Sequence, residues 1–225
     1  MPITPNQITA LRVAMAFASV ALFGRGLWAN AAALGLTVAA ISLDAADGYL
    51  ARRFGLATPL GAQLDILGDR LIENVFFTYF AVAGEISLWV PVFFFFRGTV
   101  TDFVRSLAAK AGRAGFGKNS MMESRWGRAI VGSRASRAAY GALKCACFCY
   151  LGLELMLRAA GTQGREMLAI GAQIMVWATV IFCLVRGLPV VWEGRRYVAA
   201  LSGPATRAAH GTRGSRIGWI AGAAR

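Results

Sequence analysis

Four carboxylates crowd into residues 44 to 69 of a chain that is otherwise largely apolar. Asp44 and Asp47 stand three residues apart, Asp65 and Asp69 four apart. On a helix, either spacing puts both members of a pair on one face. The segment between the pairs, with Gly55, Thr58 and Pro59, reads as a turn. The simplest fold is two antiparallel helices, each turning two carboxylates towards the other. Left unpaired in apolar surroundings, such groups cost several kcal/mol each or take up protons. A divalent cation removes the difficulty. An all-oxygen ligand set, without His or Cys, favours a hard ion such as magnesium or manganese. Four carboxylates can hold two such ions, an arrangement that recurs in phosphoryl transfer. Gly48 and Gly61 leave room for a ligand against the backbone, and Arg52 adds a phosphate-binding fork.

The remaining composition says where this cage sits. The chain is 57% hydrophobic with a mean hydropathy of +0.54, whereas soluble domains are about 45–50% apolar. It reads as one polytopic membrane domain. A net charge of +13 makes the parts outside the membrane strongly basic, which marks a cytoplasmic face and anionic headgroups. No recognition motif or aromatic-rich soluble domain points to nucleic acid. Cys145, Cys147 and Cys149 alternate along one apolar run and do not converge on a helix. With Cys183 they read as free thiols acting as small apolar residues. The N-terminus, Met-Pro-Ile-Thr-Pro-Asn, lacks the basic leading region and cleavage site of a cleavable signal peptide.

Hydropathy and turn signals predict an all-α polytopic membrane protein with six transmembrane helices, at about 7–24, 29–47, 58–82, 86–107, 138–157 and 167–187. Residues 105–137 read as the main cytoplasmic loop, with eight cations against Glu123 alone. Six spans then put both termini in the cytoplasm, on the side of the acidic stretch. Residues 1–190 form the membrane catalytic domain, and 191–225 a basic cytoplasmic or interfacial tail, with an interfacial segment near Val190 to Leu201 and a poorly ordered end. The lone His210 lies in that tail as a solvated residue.

The acidic stretch resembles a known signature. Its spacing, Asp-x2-Asp-Gly-x2-Ala-Arg-x8-Gly-x3-Asp-x3-Asp from Asp44 to Asp69, is similar to that of the CDP-alcohol phosphotransferase family of membrane phospholipid-synthesis enzymes. Pro5-Asn6-x2-Thr9-x2-Arg12 resembles the N-terminus of its phosphatidylglycerophosphate- and cardiolipin-synthase branches. The resemblance implies transfer of a phosphatidyl group from CDP-diacylglycerol to an alcohol hydroxyl, with CMP leaving. It makes Asp44, Asp47 and Asp65 metal ligands, and Asp69 the last metal ligand, the general base, or both. It places Gly48, Ala51, Arg52 and Gly61 around the CDP moiety and implies a homodimer. The Ala/Gly/Arg-rich composition and small size suggest a bacterium, hence an inner membrane, and the basic flanking segments turn the site to the cytoplasm.

Arg97, Arg105, Arg134 and Arg137 are candidates for an acceptor phosphate, which favours an anionic acceptor: glycerol 3-phosphate first, with inositol phosphate, phosphatidylglycerol and serine as the others. Plain topology explains most loop arginines equally well. Glu73 is expected to be buried against an arginine such as Arg97, and Glu154 to pair with Arg158 one turn later. Arg12 either snorkels to the interface or faces the site. Two other classes remain: a divalent-cation transporter, which would need its carboxylates near the midplane, and an inactive membrane scaffold.

Overall fold

A computed structural model describes residues 5–53, 58–113, 120–163 and 165–202. Among these the chain is all-α. Its helices are α1 (Pro5–Leu22), α2 (Leu27–Arg53), α3 (Pro59–Val82), α4 (Trp89–Lys110), the short α5 (Arg125–Gly127), α6 (Arg134–Ala159) and α7 (Arg165–Ser202). A π-helical turn, Arg128–Gly132, prolongs α5.

The six long helices close a ring. α1 packs on α2, α2 on α6, α6 on α7, α7 on α4, α4 on α3, and α3 returns to α1. Aromatic side chains fill the middle: Phe76, Phe77 and Phe80 of α3, Phe94 of α4 and Phe148 of α6 are all buried. Phe77 stacks on Phe94 at 4.2 Å between ring centroids and meets Phe148 edge-on at 4.9 Å. The run of four phenylalanines in α4 is divided by helical rotation. Phe94 is in the core, while Phe95 and Phe96 are more than 60% exposed.

α3 begins where Thr58 and Pro59 predict. The Thr58 hydroxyl accepts from the Gly61 backbone N–H at 3.0 Å, and Pro59 takes the first helical position, where its missing N–H costs nothing. Gly61 and Gly68 let α1 approach closely. A Cβ on Gly61 would lie 3.0 Å from Asn6 Oδ1, and one on Gly68 would lie 2.9 Å from Thr9 Cγ2.

Three helices are long and apolar enough to cross a bilayer: Leu27–Asp44, Arg134–Ala159 and Glu166–Ala199. Their outward faces are apolar and exposed, as at Trp177 and Ile181, so the protein is an integral membrane protein. α3 and α4 carry too many charges to qualify by composition, and the apolar part of α1, Asn6–Leu22, is shorter.

Two expectations change. The predicted loop 105–137 is largely helical where described, because α4 continues to Lys110 and α5 with the π turn occupies 125–132. The sixth span and the expected interfacial segment form one helix, α7, which passes through Pro189. Its 38 residues extend roughly 57 Å at 1.5 Å per residue, far beyond a hydrocarbon core of about 30 Å. Val190, just past the proline, is fully buried with Val104, Met121, Met122 and Val131 in a second small core. That packing carries the helix across the proline.

Candidate active site

Three helices converge on one buried cation. Arg12 of α1 has a side chain only 3% exposed. Its Nη2 lies 2.6 Å from Asp44 Oδ1 of α2 and 2.9 Å from Asp69 Oδ1 of α3, and its Nη1 lies 3.2 Å from Asp65 Oδ1. The carboxylates are open where the arginine is closed, with side chains 47%, 50% and 50% exposed for Asp44, Asp65 and Asp69. One oxygen from each lies within 4.8 Å of the others. Three oxygen donors this close form a set that could hold a divalent cation after a small contraction. Asp65 and Asp69 share a face of α3 because they are four apart, and Asp44 meets them from the end of the apolar part of α2. The backbone of α2 is helical through Arg53, but the side chains of Asp47, Gly48, Ala51 and Arg52 lie outside the described residues. Gly61 is described, and it sits at the cap contact between α3 and Asn6.

Beside the carboxylates lies a cavity of about 620 Å³. Arg70, Arg97, Arg105, Arg137, Lys144 and Arg186 line it, with Asp69 and Asp102 as its acids. A smaller cavity of about 90 Å³ adjoins it, bounded by Arg12, Asp44 and Glu73. Asp69, Gly141 and Lys144 belong to both. Asp69 is therefore where the carboxylate cage meets the cationic cavity.

Part of that positive charge is already committed. Arg70 donates to both oxygens of Asp102, at 2.9 and 3.2 Å, and to Glu73 at 3.2 Å. Arg105 joins Asp102 at 3.2 Å. Lys144 Nζ donates to Glu73 Oε2 at 2.6 Å. Glu73, 2% exposed, is thus paired with Lys144 and Arg70 and not with Arg97. Arg97 follows Glu73 in the sequence-based expectation only because both lie deep. In the fold, Arg97 turns towards α7, where Gly187 gives it room: a Cβ there would lie 3.0 Å from Arg97 Nε.

Arg97 and Arg186 have no carboxylate partner among the described residues. Arg97 Nε is buried without a hydrogen bond. Arg186 donates to the Ile130 carbonyl at 2.8 Å and to Ser136 Oγ. Arg97, Lys144 and Arg186 lie 5.9, 5.0 and 5.6 Å from the centroid of the Tyr140 ring. An aromatic face attracts cations, so Tyr140 offsets part of their mutual repulsion.

Of the four arginines expected around an acceptor phosphate, Arg97, Arg105 and Arg137 line the cavity. Arg134 does not. It opens α6 and is exposed. Sequence reasoning missed Lys144, Arg186 and Tyr140 as cavity residues. The available signal was a lone lysine inside an apolar helix, which by default marks an inward-facing functional position. Ser133 and Ser136 have clear local tasks. Ser133 caps α6 by accepting from Ser136 N–H at 3.1 Å, and Ser136 donates to the Ile130 carbonyl at 2.6 Å.

Comparison with known proteins gives the same family as the acidic signature. Residues 2–185 match the family described as CDP-alcohol phosphatidyltransferase. Over 112 residues the chain is 35% identical to a CDP-diacylglycerol–glycerol-3-phosphate 3-phosphatidyltransferase of Pseudomonas fluorescens, covering 48% of this chain and 57% of that protein. Over 69 residues it is 41% identical to a cardiolipin synthase (CMP-forming) of Oryza sativa subsp. japonica, covering 30% of this chain and 21% of that one. The chain thus spans less than two thirds of the length of either relative.

Proposed function

This chain belongs to the CDP-alcohol phosphatidyltransferase family, and we propose that it transfers the phosphatidyl group of CDP-diacylglycerol to the hydroxyl of a small phosphorylated alcohol, glycerol 3-phosphate first. The observation that carries this reading is the cationic cavity joined to the carboxylate cage through Asp69. An acceptor that brings its own phosphate gives Arg97 and Arg186 the anion they lack. Guanidinium forks suit phosphate oxygens in number and geometry. The Pseudomonas relative, named for glycerol 3-phosphate, supports the same acceptor. The rice relative, a cardiolipin synthase, makes phosphatidylglycerol the second choice.

The chemistry follows from the placement of Asp69. An acceptor held by its phosphate in the large cavity directs its hydroxyl to the wall where Asp69 stands. Asp69 takes the hydroxyl proton, and general bases of this kind contribute about 10²–10⁴-fold. The acceptor oxygen bonds to the phosphorus that carries diacylglycerol, the bond from that phosphorus to the CMP oxygen breaks, and CMP leaves. A divalent ion, magnesium or manganese, held by Asp44, Asp65 and Asp69 with Asp47 of the signature, supplies charge neutralisation for the diphosphate. Two ions are in keeping with four carboxylates. Gly48, Ala51, Arg52 and Gly61 border the CDP moiety in this reading.

The reading extends to topology. All six long helices span the membrane, with both termini and the cage on the cytoplasmic side of a bacterial inner membrane, and the protein works as a homodimer. α3 and α4 tolerate charges in this reading because several of them pair with one another at the cavity, Arg70 with Glu73 and Asp102 and Arg105 with Asp102. The test is CMP release by purified protein in detergent with CDP-diacylglycerol, manganese or magnesium, and a panel of acceptors. Metal-dependent release with glycerol 3-phosphate, lost in Asp69→Ala, is the expected result. Release with serine or unphosphorylated inositol but not with any phosphate-bearing acceptor would reject the acceptor assignment. Retention of full activity in Asp69→Ala would reject the chemistry.

A further inference from the structure

We propose that Arg12 is the cage's resident counter-cation, a positioning residue whose charge sets how tightly the cage holds a divalent ion. The inference rests on the metal-binding part of the reading above and not on the identity of the acceptor.

The geometry is specific. A single guanidinium reaches one oxygen of each of three carboxylates on two other helices: Asp44 Oδ1, Asp65 Oδ1 and Asp69 Oδ1. The arginine is almost wholly buried while the carboxylates stay half exposed. Three negative charges within a few ångströms repel strongly, even at the effective dielectric near a protein surface. One cation beneath them holds α1, α2 and α3 at one register and leaves the opposite side open. An incoming divalent ion draws on the same three carboxylates. It therefore meets a cage that is already assembled, but it pays repulsion against the guanidinium and shares acceptors with it. Arg12 thereby stabilises the metal-free fold and weakens metal binding, so the site exchanges its ion more readily than an unopposed carboxylate cluster does. A side chain that merely packed α1 would have no such coupling to metal.

That coupling is measurable. Mn2+ binding to purified wild-type protein and to Arg12→Gln is followed by the electron paramagnetic resonance signal of the free ion, and thermal unfolding in detergent is followed with and without saturating Mn2+. Arg12→Gln is expected to unfold at lower temperature without metal, to bind Mn2+ at least tenfold tighter, and to recover most of the lost thermal stability when Mn2+ is saturating. Arg12→Lys, which keeps the charge and loses the fork, is expected to stay within about threefold of the wild-type affinity. An unchanged or weaker Mn2+ affinity in Arg12→Gln, with the same stability gap at every metal concentration, would overturn the proposal and leave Arg12 a packing residue. If Arg12→Gln does not fold without metal, its recovery during purification in Mn2+ supports the proposal, and failure to recover overturns it. Wild-type protein that binds no Mn2+ would overturn the cage reading itself, and this inference with it. Binding with unaltered affinity would overturn this inference alone.

Discussion

Two of the places where the molecule gathers carboxylates around an arginine are built inside out relative to each other. In the cage, Arg12 is 3% exposed and its three aspartates are about half exposed. Past the other end of α3, Arg158 is 44% exposed, while Glu85 and Glu154 are 3% and 5% exposed. There Arg158 donates to both oxygens of Glu85 at 2.6 Å and to Glu154 at 3.0 Å, and Gln173 donates to the Glu85 carbonyl at 2.9 Å. The second cluster is a closure. Its acids are enclosed, and the cation seals them from outside, tying the α3–α4 turn to α6 and α7. In the proposed reading the first is a receptor. Its cation is enclosed, and its acids face open space where another cation can arrive. Which partner is buried separates a structural ion pair from a functional one more reliably than the residue types do.

The largest effect should come from the receptor. Asp69→Ala is expected to lower CMP release by about 10³-fold or more, since general base and ligand are lost together, with little change in unfolding temperature when metal is absent. A comparable loss of unfolding temperature in that variant would erase the contrast between the two clusters. Arg158→Ala should do the reverse. It leaves two enclosed carboxylates uncompensated, at about 3 kcal/mol, the lower end for a broken buried pair because Arg158 is partly solvated. Thermal unfolding should report that loss, while turnover per folded molecule and Mn2+ affinity stay near wild type.

Smaller changes sharpen the division within the site. Arg186→Ala removes a charge-assisted contact worth about 1.5–3 kcal/mol, so KM for a phosphorylated acceptor should rise roughly 10- to 150-fold, with KM for CDP-diacylglycerol unchanged. Initial rates with each substrate varied in turn would show an effect shared by both if Arg186 only held the fold. Arg134→Ala, at an exposed position outside the cavity, should alter either KM by less than about twofold, as is usual for surface substitutions. An acceptor-specific rise there would return Arg134 to the site.

Much of this was legible before any coordinates. The start of α3 followed from Thr58, Pro59 and Gly61, because a cap and a fixed φ are local chemistry. The meeting of Asp44 with Asp65 and Asp69 followed from helical spacing and the cost of isolated charge. Pairing of Glu154 with Arg158 followed from the one-turn rule, although its second acid, Glu85, could not, since 73 residues separate Glu85 from Arg158. Long-range partners were the main loss. Lys144 reaches Glu73 across 71 positions, and no local pattern encodes that contact. Arg186 was read as the end of a span because charges usually end spans, whereas it turns inward to the Ile130 carbonyl. The sixth span was expected to end near 187 with a separate interfacial segment after it, yet α7 runs on through Pro189 with Val190 buried beside it.

The ring also has an order in time. Along the chain, α1 to α3 come first, and they hold Arg12, Asp44, Asp65 and Asp69. The ring closes only when α7, the last helix, wedges between α4 and α6. A nascent polypeptide therefore carries Arg12, Asp44, Asp65 and Asp69 well before Arg186, which lines the cationic cavity, emerges. α3 and α4, too charged to partition into lipid alone, wait beside their neighbours until then. In the proposed reading, an arrested chain ending at residue 110 is expected to bind Mn2+ and no glycerol 3-phosphate.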